Sequence, residues 1–195
     1  MSILDRERNA EFGVFGACHL ELSKPLYHGS TAFFSRIDLS QSVPGKDFGR
    51  GFYTTSDSFQ AEKFARLKAK RARSDKGYVM VFRFQNAEGL SIKQFPSSSE
   101  EWFDFVLRNR GYGELAATMQ NDVFDIVIGP VANDAVGLVL NQYIAGTYGD
   151  SRTVEAKATA IRLLLTQKLH NQVFFGTERA VSLLSFSEAY DVYVD

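Results

Sequence analysis

Three short stretches could meet a ligand: two set polar or aromatic side chains beside glycine, where the backbone is accessible, and the third sets polar side chains at the start of an apolar strand. Leu26-Tyr27-His28-Gly29-Ser30 places an imidazole at the end of a β-prone run, followed by a residue with no side chain. The imidazole can hydrogen-bond a ribose hydroxyl, and the glycine lets a flat amide reach its N–H and C=O. Gly49-Arg50-Gly51-Phe52-Tyr53-Thr54-Thr55 is a close-approach loop running into a strand that presents an aromatic ring. Such a ring can stack on a planar heterocycle. His170-Asn171-Gln172-Val173-Phe174-Phe175 brings polar residues to the start of an apolar strand, where a side-chain amide can exchange hydrogen bonds with a ribose hydroxyl. Taken singly, each stretch also fits an ordinary role: a core histidine before a turn glycine, a hairpin tyrosine, or loop polarity ahead of a core strand.

Other reactive chemistries have less to stand on. His19, His28 and His170 have no ligand-like spacing, so no metal is expected, and no hydrolytic triad is apparent. Cys18 is the one cysteine and cannot form an intrachain disulfide, which fits a reducing compartment. It reads as a small residue beside a strand rather than a nucleophile. Lys63, Arg66, Lys70 and Arg73 recur at spacings of three and four and make one basic helix face, with Lys68, Arg71 and Lys76 nearby. A solvated surface explains it; a nucleic-acid acceptor or an acidic partner would use the same charges.

The elements that must position these residues follow from pattern. Leu26 to His28 reads as a strand end, with Gly29-Ser30 opening a turn, and Phe52 to Thr55 as a short strand of aromatic and β-branched residues. Asp57 or Ser58 caps a helix over Phe59–Arg73. Tyr78–Phe84 is a central strand, because Val79-Met80-Val81-Phe82 is all apolar. Leu90-Ser91-Ile92 is another short strand. Ser97 to Ser99 cap a helix over Glu100–Arg110 that Gly111 stops. Phe124–Ile128 is a buried strand ended by Gly129-Pro130, and Asn133-Asp134 open a helix closing at Gly146. The turn Gly129–Asp134 needs no function, although Asn133 and Asp134 could line an acceptor side. Thr153–Leu169 is the longest helix. Val173–Phe175 is a strand, Thr177 caps a short helix to Leu184, and Ala189–Val194 is a closing strand.

Strands and helices do not alternate regularly, and no glycine-rich nucleotide fingerprint follows a strand, so the class is α+β rather than a doubly wound sheet. No repeat, low-complexity tract or linker interrupts the chain. A single domain over residues 1–195 is expected, with residues 1–20 as a peripheral N-terminal arm. The apolar fraction of 45% and the 17 Phe residues exclude a disordered chain and imply an aromatic core. Twenty-two basic against 23 acidic residues point to no particular partner. Met1–Glu11 is charged, so no signal peptide is expected, and no apolar run reaches the ~20 residues of a membrane span. A cytoplasmic location is the expectation.

The order His-Gly, then Gly-x-Gly-Phe-Tyr, then a late strand starting Asn-Gln resembles the ADP-ribosyltransferase superfamily, in its His–Tyr–Glu branch. In polymerase-type members a second aromatic lies eleven residues after the motif tyrosine; here that residue is Phe64. More closely, the chain resembles a bacterial family of unknown function considered ADP-ribosyltransferase-like. Its shared stretches appear here as Phe48–Thr55, Gly129–Asp134 and Asn171–Thr177. The resemblance implies a split antiparallel β-sandwich with flanking helices. It also implies NAD⁺ as co-substrate and a macromolecular acceptor, protein or nucleic acid. The neighbouring genes of that family suggest a toxin–antitoxin or defence role with a small partner protein.

Carried over residue by residue, the resemblance gives His28, Tyr53 and Gln172 the catalytic positions. His28 would orient NAD⁺ through a ribose hydroxyl. Gly29 would pair with the nicotinamide carboxamide. Tyr53 would stack on the nicotinamide ring, with Phe64 on its other face. Ser30, Gly51 and Thr54 complete the expected cofactor contacts. Gln172 stands where the superfamily carries its glutamate. Glutamine keeps a hydrogen bond but brings no charge and cannot act as a base; one such electrostatic group is worth roughly 2.7–4 kcal/mol. Single-unit transfer, with NAD⁺ hydrolysis as a side activity, is therefore expected rather than polymer. A catalytically reduced binding module of the same fold is the alternative. Glu178 lies six residues on and could replace the carboxylate only if the turn folds back.

Overall fold

The computed structural model of this chain describes residues 22–115, 123–131, 134–165 and 171–194. Cys18, His19, Asn133, His170 and the whole of the expected N-terminal arm lie outside the described residues, as does the end of the expected helix over Thr153–Leu169. In chain order the elements are β1 (Leu26–Ser30), β2 (Phe52–Thr54), α1 (Ser58–Arg71), β3 (Lys76–Phe84), β4 (Ile92–Gln94), α2 (Glu100–Asn109), β5 (Ile126–Pro130), α3 (Asp134–Ile144), α4 (Val154–Leu165), β6 (Asn171–Phe175), α5 (Glu178–Ser182) and β7 (Leu184–Tyr193). The fold is α+β. The chain divides into two compact units. The first holds the residues up to Ile37, Thr54–Gly89 and those from Arg179 onward; the second holds Asp38–Tyr53 and Leu90–Glu178.

The first unit is built on an antiparallel sheet in the order β1-β3-β7. Strand β3 is central, as its apolar run predicts: Val79, Met80, Val81 and Phe82 are buried. The strand β1 does not stop at His28. It continues through Gly29-Ser30, paired to Val79 and Tyr78, because glycine in an extended backbone breaks nothing when the partner strand supplies the ladder. Strand β7 starts at Leu184, earlier than its sequence suggests, since pairing along the whole of β3 extends it through exposed polar residues.

Helix α1 begins where Asp57 accepts from the Phe59 and Gln60 amides at 3.0 and 3.3 Å, which satisfies two otherwise unpaired donors. Its buried face is only Ala61, Ala65 and Ala69, one residue per turn. The strands opposite offer glycine. A Cβ on Gly29 would stand 2.2 Å from the Ala61 carbonyl oxygen, and one on Gly77 would stand 2.8 Å from the Ala65 carbonyl oxygen. Small side chains on both sides thus let helix and sheet backbones touch.

The second unit carries a four-stranded sheet in the order β2-β6-β5-β4. Strands β5 and β6 are antiparallel, with Gly129 opposite Gln172 and Pro130 opposite Asn171. Strands β4 and β5 are parallel, so an all-antiparallel reading does not hold here. The physical reason is the connection: α2 lies between them, and a crossover returns the chain in the same direction. The strand β5 also runs through Gly129-Pro130 rather than ending before them. Trp102, Phe103, Val106 and Leu107 of α2 pack with Leu140 and Tyr143 of α3, Ala156, Ala160 and Leu164 of α4, and Phe174 of β6. Among the described residues, no helix is long and apolar enough to cross a membrane.

Candidate functional site

In the second unit, Tyr53 and Gln172 are joined through one loop. The Tyr53 hydroxyl donates to the Gly49 carbonyl at 2.7 Å and accepts from the Phe48 amide at 3.0 Å. It thereby fixes the loop that precedes its own strand. Its ring lies 5.0 Å from that of Phe174 and 6.5 Å, stacked, from that of Phe48. Gly51 is needed where it is: a Cβ there would stand 2.5 Å from the Phe175 carbonyl oxygen, and Ser42 Oγ both accepts from its amide and donates to its carbonyl. Lys46 Nζ lies 5.2 Å from the centre of the Tyr53 ring, and desolvation there holds the ammonium below its usual pKa.

The sequence-predicted Gln172 is buried, at 8% exposure. Its Nε2 donates to Asp47 Oδ2 at 3.1 Å and to the Pro130 carbonyl at 3.3 Å. Asp47, itself 8% exposed, takes Arg110 on its other oxygen: Nη2 at 2.6 Å and Nε at 3.0 Å. Trp102 Nε1 donates to the same Pro130 carbonyl at 3.2 Å. The Gly129–Asp134 stretch therefore does have a structural task, since Pro130 anchors both Gln172 and Trp102. A carboxylate is present beside the glutamine after all, on Asp47 of the tyrosine-clamped loop. Asp47, Arg110 and Lys46 escaped the sequence reading. Asp47 immediately precedes the Phe48–Thr55 stretch, but nothing in the chain ties it to a helix end 63 residues away.

Burial pushes the Tyr53 phenol well above its ordinary pKa. Because the folded-state value exceeds the unfolded one, this group's contribution is complete below about pH 10 and falls as pH rises beyond it. Tyr53→Phe is expected to remove that alkaline component. It should also destabilise the protein by about 1–3 kcal/mol near neutrality, because the Phe48 amide and Gly49 carbonyl lose their shared partner. Urea unfolding at neutral and alkaline pH measures both; an unchanged midpoint at neutral pH would show that the clamp contributes nothing.

The other residues expected to contact NAD⁺ belong to the first unit. His28 is half-buried on β1, its ring edge-on to Phe34 at 5.5 Å. The Gly29 carbonyl accepts from Lys68 Nζ at 2.7 Å, and its α-carbon faces α1. Ser30 Oγ accepts from the Ala32 amide. Thr54 is buried at 4%. Phe64 stands on α1 at 47% exposure, with Lys68 Nζ 5.8 Å from its ring centre. Lys68, which the sequence places near the basic helix face, is thus turned to the β1 backbone. Arg66 reaches the Tyr193 carbonyl at 3.3 Å. Lys63, Lys70 and Arg73 stay exposed, and so does Glu178 at the start of α5. No group of three His, Cys, Asp or Glu residues able to hold a metal occurs among the described residues.

The chain belongs to the family described as a protein of unknown function, DUF3990, whose family model matches residues 25–186. That match takes in all three stretches, Leu26–Ser30, Gly49–Thr55 and His170–Phe175. Neither a curated protein nor a solved structure matches the chain.

Proposed function

We propose that this protein is an NAD⁺-dependent mono-ADP-ribosyltransferase acting on a macromolecule. The glycosidic bond between nicotinamide and the ribose C1′ breaks, and nicotinamide leaves with the electron pair. An acceptor nucleophile forms the new bond at C1′ and gives up its proton. The residues that the resemblance assigns to NAD⁺ are His28, Gly29, Ser30, Gly51, Tyr53, Thr54, Phe64 and Gln172. A finer fold relationship, to the ADP-ribosyltransferase split sandwich, belongs to the same proposal, as do a toxin or defence role, a small partner protein and a cytoplasmic setting.

The observation that carries the reading is the loop Lys46–Gly51. It ties the aromatic strand residue Tyr53 to the late-strand Gln172 within one unit, although 119 positions separate them in the chain. An aromatic ring, a neighbouring ammonium and a fixed amide suit a cationic heterocycle on a phosphorylated ribose. The second reading, a module that binds NAD⁺ without turnover, is favoured by one specific fact: the one carboxylate bonded to Gln172 is already paired with Arg110.

The test is consumption of labelled NAD⁺, with and without lysate treated by nuclease or protease. Wild type should consume NAD⁺ and label one of the two acceptor classes. His28→Ala, checked for an unchanged melting point, should lose roughly 10²-fold in rate, the scale of one preorganised polar group. A wild-type protein that neither binds nor cleaves NAD⁺ overturns the proposal. Binding without cleavage selects the second reading.

A further inference from the structure

The two acceptors within reach of the Gln172 amide are the Asp47 carboxylate and the Pro130 carbonyl, neither of which can donate. The side chain must therefore turn its nitrogen to them and its carbonyl oxygen away. That oxygen has no hydrogen-bond partner among the described residues. It is not sealed in either, since the one fully buried, unpartnered side-chain polar atom among those residues is Gln94 Oε1. A residue that is 92% withdrawn from solvent thus keeps one acceptor unspent, aimed away from its anchors. The anchor is itself held: Arg110 grips the other Asp47 oxygen through two nitrogens.

We propose that Asp47, backed by Arg110, is the positioning residue of this site: it holds the Gln172 amide by its nitrogen so that the Gln172 carbonyl oxygen is the acceptor offered to a ligand hydroxyl. This rests on the NAD⁺ reading above, in which the hydroxyl is a ribose hydroxyl. It also accounts for glutamine at this position. A glutamate would set a second carboxylate about 3.1 Å from Asp47 Oδ2, where both could not stay ionised at low cost. The charge is kept one residue away, neutralised by Arg110, and the group facing the ligand is neutral and fixed. The ligand hydroxyl donates; the Gln172 oxygen accepts; no proton is transferred.

The experiment compares wild type, Asp47→Asn and Asp47→Ala in NAD⁺ cleavage, and follows the Gln172 side-chain amide by ¹⁵N NMR. Asp47→Asn keeps an acceptor for the amide; Asp47→Ala removes it. Asp47→Ala is expected to lower kcat by about 10–100-fold, the range typical of residues that orient a working group. Its KM should move much less, and Asp47→Asn should recover most of the rate. A merely structural role would instead lower the melting point without splitting kcat from KM. In Asp47→Ala the Gln172 amide protons should move to solvent-exposed positions and exchange faster. Should Asp47→Ala fail to fold, Arg110→Gln supplies the same comparison, since it frees the Asp47 carboxylate to swing. An unchanged Gln172 amide signal, or a folded Asp47→Ala protein with wild-type kcat, overturns the proposal. If wild type does not cleave NAD⁺ and the amide signal still depends on Asp47, the positioning stands and the NAD⁺ reading falls.

Discussion

Lys157→Met is expected to destabilise the protein by about 3–5 kcal/mol, the range for breaking one side of a buried ion pair. Lys157 Nζ lies 2.7 Å from Asp104 Oδ1, and the two side chains are 11% and 6% exposed. They sit on α4 and α2, within the aromatic and aliphatic packing that unites those helices with α3. Methionine fills similar volume, so the loss is electrostatic: the Asp104 carboxylate stays buried without its cation, and Glu100, which Lys157 also reaches at 3.9 Å, is a second anion left unneutralised on the exposed side. The double change Lys157→Met with Asp104→Leu should regain much of the loss, because a buried pair exchanged for apolar residues of similar size is often neutral. Urea titrations of the two variants and wild type check this. A single variant within about 1 kcal/mol of wild type would mean that water reaches the pair.

Gly29→Ala should be comparably severe, and for a steric reason. The added methyl would meet the Ala61 carbonyl oxygen at 2.2 Å and the Ala65 amide nitrogen at 2.8 Å. Both are backbone atoms, so no rotamer change relieves the overlap, and α1 must lift from β1 and β3. Overpacking of this kind costs about 1–3 kcal/mol and sometimes more; rigid backbone on both sides puts this case at the upper end. Loosening α1 would also withdraw Lys68 from the Gly29 carbonyl. The measurement is a melting curve with a matched Gly89→Ala control, at a turn where a Cβ meets nothing within 4 Å and the cost is only the positive φ of 72°. If the two variants melt alike, helix–strand contact is not the reason for glycine at position 29.

The contrast between these glycines shows what was legible in the chain. Gly29 was read as a place for a ligand to approach. On its α-carbon side the group that approaches is α1, whose alanines recur at i, i+4 and i+8, while the ligand contact proposed for Gly29 is with its backbone. Periodicity could show the small face; it could not say that the same helix would be laid on Gly29 and Gly77. Helix starts at Asp57 and Ser99 were legible because capping is local chemistry. The run of β5 through Gly129-Pro130 and the early start of β7 were not, because strand length depends on the partner's ladder.

Local pattern in the chain was enough for the α+β class, the central place of β3, the caps and approximate extents of α1 and α2, and the three stretches that bring polar or aromatic groups to glycine or to the start of an apolar strand. These depend on spacing within a dozen residues, which the chain carries in plain order. Long-range packing set the rest: Tyr53 spends its hydroxyl on clamping the Phe48–Gly49 loop, β4 and β5 run parallel, and Gln172 is held by Asp47, which Arg110 grips in turn. Each of those depends on groups brought together from distant parts of the chain. The pairing of a buried charge is set by what the fold places within 3 Å of it, and no local pattern encodes that.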